Sequence, residues 1–230
     1  MTPGLANKIC APKAKVICCN FPETAQCLPN YNVVVTGTPI RAELFTGDAD
    51  AAKKFCGFTS DKPVILVMGG SLGSVAVNNA IRSNLPALLS KYQIIHLCGK
   101  GHLEPTLDNT EGYVQYEYID AELKDMFALC DIVVSRAGAN AICELCALAK
   151  PNLLIPLPSN GSRGDQLLNA ESFKKQGFSM VLPEEQVTAE TLLSSVDELF
   201  ANKDKYIEAM KASPSGDSIK TIMDLILKYS

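Results

Sequence analysis

From Asn32 onward the chain alternates short apolar runs with stretches whose apolar residues recur every three or four positions. The runs are NVVVTG, PVILVMGG, YQIIHLCG, YVQYEYI, DIVVSRAG, NLLIPLP and FSMVLP. Rich in Val and Ile and bounded by Gly, Pro or Asp, they read as strands. Several are apolar at consecutive rather than alternate positions, the pattern of strands covered on both faces. Strand and helix in alternation predict stacked βαβ units, hence an α/β fold with a doubly wound, Rossmann-like parallel sheet opening at Val33. Between the strands, Val77, Ile81 and Leu85 recur at helical spacing, and Pro86 is expected to break or kink that helix. The segment DAELKDMFALC predicts a helix with Asp120 as its N-cap. Near the end, DSIKTIMDLILKY carries Ile219, Ile222, Met223, Ile226 and Leu227 on one stripe, which calls for an apolar partner surface.

Residues 1–31 break this pattern. Rich in Pro, Cys and Ala, with one short apolar run, KVICCNF, they are too few to bury a core of their own. They read as the end of a preceding domain and a linker, with residues 32–215 as the main domain and 216–230 as a C-terminal helix.

Composition narrows the function classes. At 230 residues and 47% hydrophobic, the chain can bury a sizeable core. Its net charge is −4 and no Lys/Arg cluster exceeds a pair, so nucleic acid is not an expected partner. No apolar run approaches the ~20 residues that span a bilayer, and the first residues lack a signal-peptide core, which leads to an expected cytoplasmic location. The nine cysteines fall mainly inside predicted strands and helices, as small buried hydrophobes do in a reducing compartment. Cys143 and Cys146 form the sole C-x-x-C, within a helical pattern and without a second pair, so zinc or redox chemistry is not expected there. No acidic cluster suggests a metal, and no cofactor is expected.

The candidate chemistry begins in VILVMGGSLGSVAVNNAI, where a strand runs through a glycine-rich turn into a helix. That order aims backbone N–H groups and a helix N-terminus at one point and favours an anion, most often a phosphate. The turn lacks the Lys of a P-loop, and Gly69, Gly70 and Gly73 do not fit the dinucleotide spacing G-x-G-x-x-G. Taken alone, it leaves open a glycine-rich connection that binds nothing. In an open α/β sheet, ligands collect beyond the carboxyl ends of the strands. Four loops there carry unusual chemistry: TGTPIR with Arg41, GGSLGS, SRAGANAICE and PLPSNGSRGDQLLNAESF.

Three of these in order, GGSLGS, residues 138–144 of RAGANAICE, and SRGDQLLNA, resemble the donor-binding half of the bacterial MurG-type N-acetylglucosaminyltransferases of GT-B fold. The resemblance runs over nearly the whole chain, and PGLANK and GTPIR look like that family's interdomain region. It implies an inverting transfer of N-acetylglucosamine from UDP-GlcNAc to lipid I, giving lipid II in peptidoglycan synthesis. It further implies that Gly70, Ser71, Gly73 and Arg41 hold the donor diphosphate, and that the Ile119 backbone reads the uracil. Gly138, Ala139 and Asn140 open the helix whose Glu144 accepts from both ribose hydroxyls. Asp165, Gln166 and Asn169 serve the sugar hydroxyls, with Asp165 standing where some relatives carry a second amide.

The family's acceptor domain, its general base and its membrane-facing surface have no counterpart among these residues. Neither His matches the base by position: His96 is expected to be a satisfied core residue and His102 a solvated loop residue. The resemblance therefore implies no catalytic residue here, a chain inactive by itself, and an acceptor domain supplied in cis or in trans on which residues 216–230 would pack. Lipid I would be met only by the full-length enzyme, peripheral on the cytoplasmic face of the plasma membrane. Three other readings stay open: the donor subunit of a two-chain N-acetylglucosaminyltransferase, a UDP-GlcNAc 2-epimerase-like enzyme, and a non-enzymatic nucleotide-sugar-binding module.

Overall fold

A computed structural model of the chain describes residues 3–70, 72–159, 164–213 and 217–230. It divides into two units, Met1–Arg41 with Ser213–Ser230, and Ala42–Ala212. In the smaller unit, α1 (Leu5–Cys10), β1 (Ile17–Cys19), α2 (Pro22–Gln26) and β2 (Val33–Val35) are joined by α11 (Ser218–Tyr229). The run NVVVTG therefore does not open the main sheet. It supplies β2, which pairs in parallel with β1 in a two-stranded sheet. Its three residues are half-buried or exposed, so β2 lacks the burial on two faces that a central strand needs. Helix α11 is capped by Asp217, whose Oδ1 accepts from the Lys220 N–H at 2.9 Å. It is fastened at its far end, where Lys15 Nζ donates to the Tyr229 carbonyl at 2.5 Å and Asn32 Nδ2 to the Tyr229 hydroxyl at 3.0 Å.

The larger unit is built on the six later runs. They form β3 (Val64–Met68), β4 (Gln93–Leu97), β5 (Tyr113–Tyr116), β6 (Ile132–Ser135), β7 (Asn152–Leu154) and β8 (Met180–Val181). These strands make one parallel sheet in the order β5-β4-β3-β6-β7-β8. Around it lie α3 (Ala49–Phe55), α4 (Val75–Ser83), α5 (Leu85–Lys91), α6 (Leu123–Leu129), α7 (Ala139–Ala147), α8 (Asp165–Lys175), α9 (Ala189–Ala201) and α10 (Lys203–Ala212). On one face Ile65, Val67, Ile94, Ile132, Val134 and Leu153 pack on Val77 and Ile81 of α4, Leu85 and Leu88 of α5, and Leu192, Val196 and Leu199 of α9. The alternate residues Leu66, Ile95, Val133 and Leu154 are equally buried on the other face, where α6 lies against β3. Each such side chain contributes roughly 1.5–3 kcal/mol by leaving water.

Local chemistry sets the helix boundaries. Ser74 caps α4, accepting from the Val77 N–H at 3.3 Å. Pro86 starts a second helix rather than kinking the first, because it falls in the first turn of α5, where its missing N–H costs nothing. Asp120 is not the N-cap of α6. Its carbonyl accepts from the Leu123 N–H in a turn at 3.2 Å, which moves the helix start to a cap at Glu122. Of the nine cysteines, Cys19, Cys56, Cys98 and Cys130 are buried, whereas Cys10, Cys18 and Cys27, all in the smaller unit, are exposed.

The strand order places the site. The chain leaves β3 for β4 and β5, then returns past β3 to β6, so the loops after β3 and β6 start side by side, with Met68 in register with Ser135. A crevice of this kind at the carboxyl edge is where open α/β sheets bind ligands.

Candidate functional site

The turn after β3 is shaped by its glycines. Gly73 donates its N–H to the Gly70 carbonyl at 2.9 Å, which closes a tight turn. Gly73 has φ +75°, and a Cβ there would lie 2.0 Å from the Cys98 carbonyl oxygen, so only glycine lets this turn seat on the loop after β4. Gly70, at φ +87°, faces open space, with nothing within 4 Å of where a Cβ would stand. One glycine thus seats the turn and the other exposes backbone for close approach. Ser71 lies outside the described residues.

The loop after β6 delivers α7. Gly138 is its N-cap and offers no side chain to the first N–H groups, which include those of Ala139 and Asn140; the first helical bond is Ile142 N–H to the Gly138 carbonyl at 3.0 Å. Glu144 follows on this helix, half-buried and engaged by a neighbouring group. Helix α8 also starts on a glycine, Gly164 at φ +78°, without a side-chain cap. Three helices, α4, α7 and α8, therefore begin beyond the carboxyl ends of β3, β6 and β7 and present their positive ends to that edge of the sheet.

The amides on α8 each have a partner within the chain. Asn169 is 5% exposed, and its Nδ2 donates to the Ala137 carbonyl at 2.9 Å. Gln166 Oε1 accepts from the Leu157 N–H at 3.0 Å. Both side chains brace the loops after β6 and β7, while Asp165 beside them is exposed. Ile119, beyond the end of β5, buries its side chain to 5%. Among the described residues its backbone N–H and carbonyl take no hydrogen bond, which leaves the backbone as the part able to meet a ligand. Arg41 is exposed and closes the smaller unit, whereas the site described here belongs to the larger one.

His96 is fully buried between two partners, with Nδ1 2.9 Å from the Tyr113 hydroxyl and Nε2 3.0 Å from Asn78 Oδ1. Asn78 Nδ2 donates to the Cys98 carbonyl at 2.9 Å, so its Oδ1 must accept and His96 carries its proton on Nε2. Burial, helped by the nearby Arg82 guanidinium, pushes its pKa down to about 3. The imidazole is a neutral strut between α4 and the sheet. His102 lies in the loop after β4 and is half-exposed.

One residue of the site escaped the sequence reading. Arg136, directly after β6, is 8% exposed. Its Nη1 donates to the Ile155 carbonyl at 3.0 Å and its Nη2 to Ser74 Oγ at 2.6 Å, and it forms an ion pair with Glu184. The available signal was a guanidinium placed at the end of a strand, IVVS, whose first three residues are apolar and which is buried throughout, where a charge has to find partners. Among the described residues, no group of three His, Cys, Asp or Glu side chains is placed to hold a metal ion, and no helix is long and apolar enough to cross a membrane. What the site offers is a concentration of backbone donors for an anion, an acceptor on α7 for hydroxyls, and a rigid frame.

Residues 64–226 match the C-terminal domain of glycosyltransferase family 28. The UDP-N-acetylglucosamine--N-acetylmuramyl-(pentapeptide) pyrophosphoryl-undecaprenol N-acetylglucosamine transferase of Lachnospira eligens is 58% identical over 98% of this chain. Its counterpart from Lachnoclostridium phytofermentans is 57% identical over the same share. The chain spans 64% of the length of each of these relatives. Among solved structures, Acinetobacter baumannii MurG superposes with a TM-score of 0.71 at 23% identity, covering 99% of this chain and 64% of that one. The calicheamicin glycosyltransferase CalG4 follows at 0.62 and 16% identity, covering 86% of this chain and 47% of its own. Both carry the same fold, a parallel sheet flanked by helices. The glycine turn at the switch point, the glycine-opened helix bearing Glu144 and the match over most of the chain lead to one conclusion: the chain belongs to glycosyltransferase family 28 and carries its C-terminal domain.

Proposed function

We propose that the larger unit binds UDP-N-acetylglucosamine as the donor half of an N-acetylglucosaminyltransferase that converts lipid I to lipid II. The observation that carries the reading is Gly70, a backbone position with φ +87° and open space before it, set at the switch point of the sheet in a chain 57–58% identical to relatives that are named as transferring this sugar. Backbone N–H groups of the turn and of the α7 start would receive the diphosphate. As the bond between sugar and phosphate breaks, negative charge grows on the departing UDP, and donors already fixed around it lower the barrier without reorganising. Glu144 on α7 would accept from the two ribose hydroxyls, the Ile119 backbone would meet the uracil, and Asp165 would face the sugar. On this reading the acceptor site, the general base and a peripheral position on the cytoplasmic membrane surface would belong to a portion of the enzyme that this chain does not span.

Calorimetry of the chain against UDP, UDP-N-acetylglucosamine, ADP-glucose and NAD tests this. The expected result is weak, saturable binding of the two uridine nucleotides alone; no UDP binding at millimolar concentration by folded protein would overturn it. Glu144→Ala is expected to weaken UDP by about 10- to 100-fold, the loss of roughly 1.5–3 kcal/mol for hydrogen bonds to a charged group. Against a 2′,3′-dideoxy nucleotide the same variant should bind like the unmodified chain, and an equal loss for both ligands would remove Glu144 from the ribose.

A further inference from the structure

Arg136 has a buried charge and three partners on three segments of chain. We propose that it is a positioning residue for the donor diphosphate, its guanidinium fixing through Ser74 the shape of the glycine turn that receives the phosphates. The inference rests on the donor-site reading given above.

The geometry separates this role from direct contact with the anion. The Arg136 side chain is 10% exposed, and its charge is balanced by Glu184. It is therefore not a spare cation waiting for phosphate. Its Nη2 ends on Ser74 Oγ at 2.6 Å, the same oxygen that caps α4 through the Val77 N–H. Ser74 is the hinge between turn and helix: the backbone there is packed so closely that a Cβ on Gly69 would lie 2.5 Å from the Ser74 nitrogen. Any shift of Ser74 is passed directly to Gly69 and Gly70. On the opposite side the turn is pinned by Gly73 against Cys98. A loop held from both sides keeps its N–H groups aimed before a ligand arrives, which is the condition for strong electrostatic stabilisation.

Arg136 also belongs to the second arm of the site. Its own N–H reaches the Met68 carbonyl at 3.3 Å, Asn169 holds the next carbonyl, that of Ala137, and Gly138 opens α7 one residue later. One side chain thus sets the spacing between the turn and the α7 N-terminus. Donors diverging to Ile155, Ser74 and Glu184 need the planar fork of a guanidinium, which an ammonium on a flexible stem does not reproduce.

The test compares UDP with uridine, which lacks the phosphates, by ligand-observed NMR titration and calorimetry on the unmodified chain, Arg136→Lys and Ser74→Ala. Arg136→Lys retains a cation for Glu184, and Ser74→Ala retains the guanidinium. Both variants are expected to lose about tenfold in UDP affinity while uridine affinity stays within about twofold. Thermal melts and the uridine titration report the fold independently of the phosphates. Equal losses for UDP and uridine, or undiminished UDP binding by Arg136→Lys, would overturn the inference and leave the donor-site reading standing. So would a Ser74→Ala variant that binds UDP normally while Arg136→Lys does not. Failure of the unmodified chain to bind UDP at all would remove both.

Discussion

At the scale of single residues, two glycines three positions apart in one turn, Gly70 and Gly73, serve opposite ends. For Gly73→Ala, a left-handed φ adds roughly 1–2 kcal/mol of strain, and the new methyl would meet the Cys98 carbonyl at 2.0 Å, a backbone atom that cannot swing aside. Urea denaturation should show a loss above about 3 kcal/mol for Gly73→Ala and only about 1–2 kcal/mol for Gly70→Ala, which has the strain without the collision. The second variant should nonetheless bind UDP poorly. His96 supplies a different measurement. Its pKa of about 3 in the fold lies below the ordinary 6.5, so between these values the unfolded chain takes up a proton that the folded one refuses. Stability present above the ordinary value is then lost as pH falls toward the folded one, by up to about 1.4 kcal/mol per pH unit. Denaturation midpoints should fall between about pH 6.5 and pH 5, before carboxylates titrate, and His96→Gln should flatten that slope. A slope unchanged by the variant would assign the effect elsewhere. The sequence allowed His96 to be read as a core residue because it interrupts an apolar strand. Arg136 was not legible, since its role depends on Ile155 and Ser74, which are 19 and 62 positions away.

At the scale of elements, β3, β4, β6 and β7 were legible because they are buried on both faces, which writes consecutive apolar residues into the chain, while the half-buried edge strands β5 and β8 were legible from short apolar runs between turn residues. β2 carries the same local text, VVV, and nothing in three residues tells which sheet will accept them. The glycine-opened starts of α7 and α8 were visible as loops, but the bonds of the α8 amides to the chain were not, because Asn and Gln look alike whether they meet a ligand or a carbonyl. That distinction is measurable. Asn169→Ala leaves the buried Ala137 carbonyl without its donor and is expected to cost about 1–3 kcal/mol of stability. Asn169→Asp should cost more, since a carboxylate there would face the same carbonyl oxygen. If both variants melt like the unmodified chain and differ only in affinity for UDP-N-acetylglucosamine over UDP, Asn169 is a sugar ligand and not a brace.

For the whole molecule, the question is what the chain can accomplish with 64% of the length of its relatives. Activation of an acceptor hydroxyl by a general base is worth about 10²–10⁴-fold; His96 is sealed in the core, and half-exposed His102 in the loop after β4 does not match the family's base by position. The chain alone is therefore expected to transfer no sugar to a lipid I analogue, and to gain activity when the N-terminal portion of a close relative is added. Helix α11 presents Ile219, Met223, Ile226 and Leu227 at half exposure or more. Met223→Lys should leave UDP binding unchanged and reduce that gain; robust transfer by the isolated chain would mean that the catalytic apparatus lies within it.

The fastening of α11 also bears on the order in which the chain is made. Residues 42–212 are continuous, so a ribosome delivers every part of the larger unit before α11. Lys15 and Asn32, which leave the ribosome before the larger unit, bond to Tyr229, which leaves it afterwards. The smaller unit must wait, with β1 and β2 already made, while residues 42–212 are synthesised, until α11 arrives to complete it.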